Sequence, residues 1–330
     1  MADESWGPPF EVQRTEVTFR SGGTEVSATL FERARLPVAP PEEGKKPQKV
    51  KEGDPEAPPR SWCILVHGLL SDRNEFGDLG MTLARDGHGV LALDLPGHGR
   101  SGGPRGIYDL EAAAQVVRDA QAFLSAREEQ WDLKPQQWGL IGHSTGGAVA
   151  LQVGQSLHAG DVVIAAAVPR TFAEEMNPLK RAGYAFLYRL RASGNGTGPG
   201  PTVKYPVTYK DIFADSGARQ QAKAQGFLQT RIPLRNYPLL MSIDAEAIAH
   251  RVQDPTVLVM AAEKDKVIRR RATLTVYEAV ASAKTWYEVP GSGHSIFLDR
   301  ARDKAIGFVR DWVAYRLHTF NEVRPGHTKR

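Results

Sequence analysis

The sequence predicts an α/β protein with an open, mostly parallel sheet and helices on both faces. From residue 61 onward, short β-branched runs alternate with amphipathic stretches, the pattern of parallel strands joined by right-handed crossovers. Residues 11–31 instead contain two alternating runs about the turn 21–24, which predicts an N-terminal antiparallel hairpin. The alternation stops between residues 169 and 250, and this break predicts an inserted cap.

Six apolar runs are the candidates for the strands of the parallel sheet. They cover residues 61–66, 89–94, 136–142, 162–168, 255–261 and 284–289. Residues 109–129 keep a helical spacing of apolar side chains, at Leu110, Ala114 and Val117 for example, and predict an amphipathic helix.

These elements divide the chain into a main domain, residues 1–168 and 251–330, and a cap, residues 169–250. Residues 37–60 are rich in Pro, Lys and Glu and have few groups to bury, so we expect a mobile surface loop of the main domain. The Gly/Pro-rich run 193–201 predicts a flexible connection that lets the cap move.

The composition favours an ordinary globular protein. Of 330 residues, 41% are hydrophobic and 24% are charged, and no apolar run approaches the roughly 18 residues of a membrane span. The N-terminal residues lack the apolar run of a signal peptide, and the single cysteine, Cys63, lies in an apolar run typical of a core strand. We therefore expect a cytoplasmic protein.

The charge pattern excludes several classes of partner. The net charge is +4, with the cationic residues scattered along the chain. No zinc cluster, phosphate-binding loop or basic–aromatic surface is visible, so we expect no nucleic acid, metal or cofactor. Peripheral membrane contact through the cap is the most that we expect of a lipid surface, and the sequence leaves the oligomeric state open.

A serine flanked by glycines is the central chemical signal. Gly142-His143-Ser144-Thr145-Gly146 follows a strand-like run and precedes a helix-forming run, the context of a nucleophile elbow. The same pattern occurs around Ser101, but there a Gly-Gly-Pro sequence prevents a clean helix start. Ser144 is therefore the candidate nucleophile, and Ser101 the weaker alternative.

A serine hydroxyl needs a base and an acid that orients the base. His294 ends a Gly-rich turn directly after the last strand, which brings it to the same sheet edge as Ser144. Asp265 follows the strand before that one and is the candidate acid, with Glu263 as its rival. Main-chain N–H groups of Leu69 and Thr145 are the candidate oxyanion hole, and their side chains are expected to shape the pocket.

Aromatic and aliphatic side chains of the cap and of the loops beside the triad are expected to contact a substrate. The candidate substrate-binding residues are Leu70, His143, Phe186, Tyr188, Phe213 and Ile296.

Together with the loop Asp94–Ser101 and the pair His67-Gly68, these motifs resemble the monoglyceride lipase, lysophospholipase and carboxylesterase branch of the α/β-hydrolases. The resemblance covers most of residues 61–317 outside the cap and implies the α/β-hydrolase fold. Thr145 stands where that branch often has Met, and the insertion 37–60 is not a feature of the branch.

The resemblance implies a serine ester hydrolase that forms an acyl-enzyme on Ser144. The apolar side chains of the cap favour short- to medium-chain apolar monoesters, with monoacylglycerols as candidates. The same triad also serves thioester, lactone, amide and C–C cleavage, and these reactions remain alternatives. A non-enzymatic ligand sensor on the same fold is a further alternative of a different class.

Overall fold

The computed structural model describes residues 11–33, 61–129, 137–191 and 200–322. Its main feature is an eight-stranded sheet. The strands, in chain order, are β1 (Val12–Ser21), β2 (Thr24–Arg33), β3 (Ser61–Val66), β4 (Gly89–Leu93), β5 (Gln137–His143), β6 (Val162–Ala166), β9 (Thr256–Ala262) and β10 (Lys284–Val289), with β7 and β8 lying outside this sheet.

The spatial order β1-β2-β4-β3-β5-β6-β9-β10 confirms the predicted mostly parallel sheet. In this spatial order, every neighbouring pair of strands from β4 to β10 is parallel. Strand β2 pairs antiparallel with both β1 and β4. The hairpin turns at the predicted glycines, Gly22 and Gly23, which both have positive φ. Each predicted strand lies within two residues of its observed bounds.

Helices cover both faces of the sheet because each central strand is apolar on both sides. In β3, Trp62, Ile64 and Val66 belong to one buried cluster, and Cys63 and Leu65 belong to the other. The first cluster includes residues of the helices α2 (Leu110–Glu129), α3 (Thr145–Gly154) and α10 (Arg270–Ala279); the second includes residues of α1 (Leu79–Arg85) and α11 (Arg302–Glu322). Burial raises the pKa of the Cys63 thiol to about 12, as expected for a core residue.

Short elements fill the part of the chain between β6 and β9. They are α4 (Phe172–Glu175), α5 (Pro178–Arg191), β7 (Thr202–Lys204), α6 (Tyr209–Ile212), α7 (Ser216–Ala224), β8 (Arg231–Pro233), α8 (Asn236–Met241) and α9 (Ala245–Ala249). Strands β7 and β8 form a separate two-stranded sheet. The cap boundaries at 169 and 250 stay a prediction, and loop 37–60 and most of the run 193–201 lie outside the described residues.

No helix within the described ranges is long and apolar enough to cross a membrane.

Candidate active site

Ser144 lies at a sharp turn between β5 and α3. Its backbone adopts φ 53° and ψ −121°, a conformation that L-residues rarely occupy and that marks a strained elbow. The side chain emerges at the carboxyl edge of the sheet, just before the N-terminus of α3. The partial positive charge of that terminus lies where negative charge develops during attack by a serine.

Two glycines make this turn sterically possible. A Cβ atom on Gly142 would lie 2.0 Å from the carbonyl oxygen of Gly146 in α3. A Cβ atom on Gly146 would lie 2.0 Å from the carbonyl oxygen of Val66 in β3. The glycines of the motif therefore allow the nucleophile strand, its neighbour and the helix to approach each other closely.

The structure brings Asp265 and His294 together at the same edge. His294 Nδ1 lies 2.8 Å from Asp265 Oδ2, and both side chains are almost fully buried. The other carboxylate oxygen of Asp265 accepts the N–H groups of Val267 and Ile268, which fixes the carboxylate plane. His294 and Ser144 line one cleft.

The rival residues have other partners. Glu263 accepts the N–H of Gly291 at 2.6 Å, so it braces the histidine loop rather than the imidazole. The Ser101 hydroxyl donates to the carbonyl of Asp94 and accepts the N–H of Ser27, which leaves it inside the fold of its loop.

The other buried histidines brace loops, as their positions beside glycine turns predict. His67 Nε2 accepts the N–H of Leu95, and its Nδ1 lies 2.7 Å from the Gly68 carbonyl oxygen. Burial lowers the pKa of His98 to about 3, so that imidazole is neutral.

The oxyanion loop differs from the sequence expectation in one respect. The Leu69 N–H donates to Thr145 Oγ1 at 2.7 Å, so the candidate donor already has an acceptor. The Leu69 side chain lines the cleft as expected, but Thr145 is fully buried and does not. Leu70, the next residue, has φ 67° and is held in this strained conformation at the cleft wall.

The cleft beside Ser144 is largely apolar. Its volume is about 650 Å³, including the part open to solvent. The lining residues are Leu69, Leu70, Ser144, Phe172, Glu175, Met176, Tyr205, Pro206, Val207, Ile212, Leu228, Val267, Ile268 and His294. In the described part of the chain, no group of three or more His, Cys, Asp or Glu side chains could hold a metal ion.

Residues 57–301 match the family described as serine aminopeptidase S33, which covers about three quarters of the chain. The chain belongs to this family. The family match confirms the predicted α/β-hydrolase superfamily and supports a hydrolase.

Individual relatives of this S33 hydrolase are distant. It is 22% identical over 274 residues to a monoacylglycerol lipase of Mycolicibacterium smegmatis, covering 80% of this chain and 91% of that protein. It is also 22% identical to an abhydrolase domain-containing protein of Dictyostelium discoideum, over 85% of this chain, but spans only 29% of that longer protein. A crystal structure of Paleococcus ferrophilus monoacylglycerol lipase superposes with a TM-score of 0.66 and 22% identity, covering 78% of this chain and 96% of that one. These likenesses support the α/β-hydrolase fold.

In this S33 hydrolase, most of the expected substrate-binding residues do not line the cleft. Leu70 lines it, whereas the Phe186 side chain is 62% exposed on α5 and Tyr188 packs near Tyr237. Phe213 is buried against Tyr209 and Phe227 within the cap.

Two further expectations fail because the side chains turn into the protein. Ile296 follows His294 but packs in the core cluster on the α1 and α11 side of the sheet. His143 is fully buried, with Nδ1 3.0 Å from Glu75 Oε1 and Nε2 2.8 Å from the carbonyl oxygen of His294. It therefore supports the histidine loop instead of facing a substrate.

Glu75 and His143 form a buried charged pair behind the catalytic edge. Burial disfavours charge on both groups, but their mutual attraction outweighs it and raises the pKa of His143 while lowering the pKa of Glu75. Glu75 also accepts the N–H of Gly68 at 2.7 Å. The pair therefore connects the oxyanion loop, the nucleophile strand and the histidine loop.

Sequence reasoning did not identify most of the cleft wall. Val267 and Ile268 could have been found, because they follow Asp265 in the same loop. Tyr205, Val207 and Leu228 lie in short cap segments without a motif or a clear periodicity, so no sequence signal marks them.

Proposed function

We propose that this S33 hydrolase is a serine carboxylic ester hydrolase that acts on apolar, short- to medium-chain monoesters, with monoacylglycerols as candidate substrates. The observation that carries the proposal is the 2.8 Å contact between Asp265 and His294, with His294 and Ser144 lining the same apolar cleft. Two similar proteins are monoacylglycerol lipases, which agrees with this substrate class.

In the proposed reaction, Ser144 Oγ attacks the acyl carbon while His294 Nε2 takes the hydroxyl proton. The Nδ1–H of His294 donates to Asp265, which fixes the tautomer and stabilises the imidazolium. His294 then protonates the leaving alcohol, and an acyl-enzyme remains on Ser144. Water, activated by His294, releases the acid and restores the serine.

The proposed oxyanion hole consists of the N–H groups of Leu69 and Thr145. Because the Leu69 N–H donates to Thr145 Oγ1 in the free enzyme, the carbonyl oxygen of the substrate has to replace that hydroxyl as acceptor. The bond to Thr145 keeps the Leu69 N–H paired before the substrate arrives, and it aligns the loop for the developing charge.

The apolar wall favours an acyl chain, and each CH₂ group that it buries contributes about 0.8 kcal/mol. The proposal is tested by kcat/KM for p-nitrophenyl esters from acetyl to palmitoyl. We expect an optimum at medium chain length, about four to ten carbons, because the cleft is then full. A flat profile, or a preference for charged or sugar esters, would contradict the proposed substrate class.

Cleavage of an amide at a peptide N-terminus is the second candidate. Glu175 lines the cleft with its side chain 8% exposed, and its Oε2 accepts from Arg269 while Oε1 has no partner in the described residues. A carboxylate oxygen of this kind can accept from an ammonium group or from the hydroxyls of a glycerol ester.

Aminoacyl p-nitroanilides and monoacylglycerols distinguish the two candidates. Ester turnover without anilide turnover supports the esterase. A large loss in Glu175→Gln for free-amine substrates, with efficient anilide cleavage in the parent, would instead assign the aminopeptidase activity.

We also propose that the protein is cytoplasmic and contacts anionic lipid surfaces through α5. Leu179, Phe186 and Leu190 recur at helical spacing and are 84%, 62% and 61% exposed. Exposed cationic residues such as Lys180 and Arg189 flank them, and α5 contains no acidic residue. An apolar stripe with cationic borders matches an anionic membrane interface.

Vesicle sedimentation tests this contact. We expect the parent to bind phosphatidylglycerol-containing vesicles more tightly than phosphatidylcholine vesicles, and Leu179→Asp/Leu190→Asp to bind at least about tenfold more weakly, since burying a leucine contributes about 1.5–3 kcal/mol. Tyr315→Asp, on α11, is the matched exposed-apolar control. Unchanged vesicle binding in the double variant contradicts the lipid contact. So does a double variant that binds vesicles like the parent but no longer forms a dimer, because the stripe would then be a contact between two copies of the chain.

A further inference from the structure

Asp299 lies just after the histidine loop and is almost fully buried. Its carboxylate accepts four main-chain N–H groups, which come from two separate parts of the chain. Gly293 and Ala214 donate to Oδ2 at 2.7 and 2.8 Å, and Asp215 and Arg300 donate to Oδ1 at 3.0 and 2.8 Å. Gly293 directly precedes the candidate base His294, whereas Ala214 and Asp215 belong to the cap.

Two other contacts join the same segments. The Ser295 N–H donates to the carbonyl of Ile212, so the residues on both sides of His294 are bonded directly or through Asp299 to the stretch 212–215. A Cβ atom on Gly293 would lie 2.6 Å from the Ile212 oxygen and 2.7 Å from the Ala214 nitrogen. The two main chains are therefore in direct contact, with no space for a side chain.

The stretch 212–215 is also part of the substrate cleft. Ile212 lines the cleft beside Ser144, and Phe213 is buried among the aromatic residues of the cap. One carboxylate thus holds the cleft wall and the histidine loop in a fixed relation. Breaking it leaves the buried N–H of Gly293 and the partly buried N–H groups of Ala214 and Asp215 without an acceptor.

We propose that Asp299 is a positioning residue that couples the cap wall at 212–215 to the loop of His294. The inference rests on the proposed function, because it requires that His294 acts on Ser144. The coupling sets the imidazole relative to a substrate held against Ile212, so substrate binding and base placement depend on the same junction.

Two substitutions on the histidine-loop side break the junction by different means. Asp299→Asn places an amide NH₂ where main-chain N–H groups need an acceptor, and Gly293→Ala pushes the cap stretch away from the loop. Each should lower kcat per active site about 10²-fold, the effect of roughly 1 Å of misplacement. The double variant should lose little more than the worse single variant, because both changes remove one coupling.

Active-site titration with a fluorophosphonate, followed by kcat and KM per titrated site, separates positioning from stability. Asp211→Ala is the matched control, because it removes the carboxylate that accepts the N–H of Thr208 at the start of α6, just before the stretch 212–215. We expect that control to stay within about threefold of the parent in kcat per site, since the distance across the junction is unchanged.

The proposal is overturned if Asp299→Asn and Gly293→Ala melt earlier but keep the parent kcat per titrated site, or if Asp211→Ala loses as much activity as they do. A parent that the fluorophosphonate does not label contradicts the proposed function itself, which is a different outcome. Additive losses in the double variant also contradict a single shared junction.

Discussion

At the carboxyl edge of the sheet, Asp265 and Asp299 each accept three or more hydrogen bonds, whereas the outer face of α5 holds Leu179, Phe186 and Leu190 in solvent. The edge uses buried carboxylates to fix loops from several strands, which is what a triad needs. Helix α5 differs because its apolar side chains are exposed to solvent, where they can contact a partner surface. The chain thus combines a hydrogen-bonded sheet edge, whose geometry determines the reaction, with an exposed face of α5, whose surface determines what the cap contacts.

The largest effect should come from the serine itself. Ser144→Ala should fold normally and lose about 10⁶-fold in kcat, because the members of a triad act as a unit. Ser101→Ala should keep most of its activity and lose about 1–3 kcal/mol of stability, since the buried N–H of Ser27 loses its acceptor. Steady-state kinetics and thermal melts measure both, and a dead Ser101 variant beside an active Ser144 variant would move the nucleophile.

The next effect sharpens the choice of acid. Asp265→Asn should cost about 10⁴-fold in kcat, because an amide favours the wrong tautomer of His294. Glu263→Gln should cost far less, since the amide oxygen can still accept the N–H of Gly291. Comparison of kcat in the two variants identifies the acid. A larger loss in Glu263→Gln than in Asp265→Asn would assign the acid to Glu263.

The oxyanion loop should show a smaller effect. Leu69→Pro removes the main-chain donor and should lower kcat about 10²- to 10³-fold. Leu69→Ala keeps the donor and should alter the preference among ester chain lengths more than the rate. If the alanine variant is folded by circular dichroism yet equally inactive, the donor is not the Leu69 main chain.

The smallest effect concerns the pH dependence of stability that arises from the pair of Glu75 and His143. The raised pKa of His143 means that its contribution to stability is present below its ordinary value of 6.5 and is lost as pH rises through the folded-state pKa. The lowered pKa of Glu75 means that its contribution is present above its ordinary value of 4.5 and is lost as pH falls through its folded-state pKa. The stability difference between the parent and Glu75→Gln, measured by urea unfolding across pH, should therefore be largest between these limits. A difference that is independent of pH contradicts the charged pair.

The same contrast explains what the sequence could and could not predict. Strands buried on both faces leave continuous apolar runs, so the sheet, the elbow and the positions of Asp265 and His294 followed from runs, glycines and chain order. Asp299 accepts the main-chain N–H groups of the distant residues Ala214 and Asp215, and Glu75 pairs with the distant His143. No sequence pattern records partners of that kind. The aromatic residues of the cap were expected at the cleft, but Phe186 and Phe213 show that aromatic character alone does not distinguish a wall, a core and an exposed face.

The central claim is that Ser144 is acylated with the help of His294. The most direct test is peptide mapping by mass spectrometry after reaction with a fluorophosphonate, together with the initial burst of p-nitrophenol from a medium-chain ester. We expect one adduct, on Ser144, a burst equal to the titrated sites, and neither signal in Ser144→Ala. An adduct on another residue, or ester turnover that persists in Ser144→Ala, would contradict it.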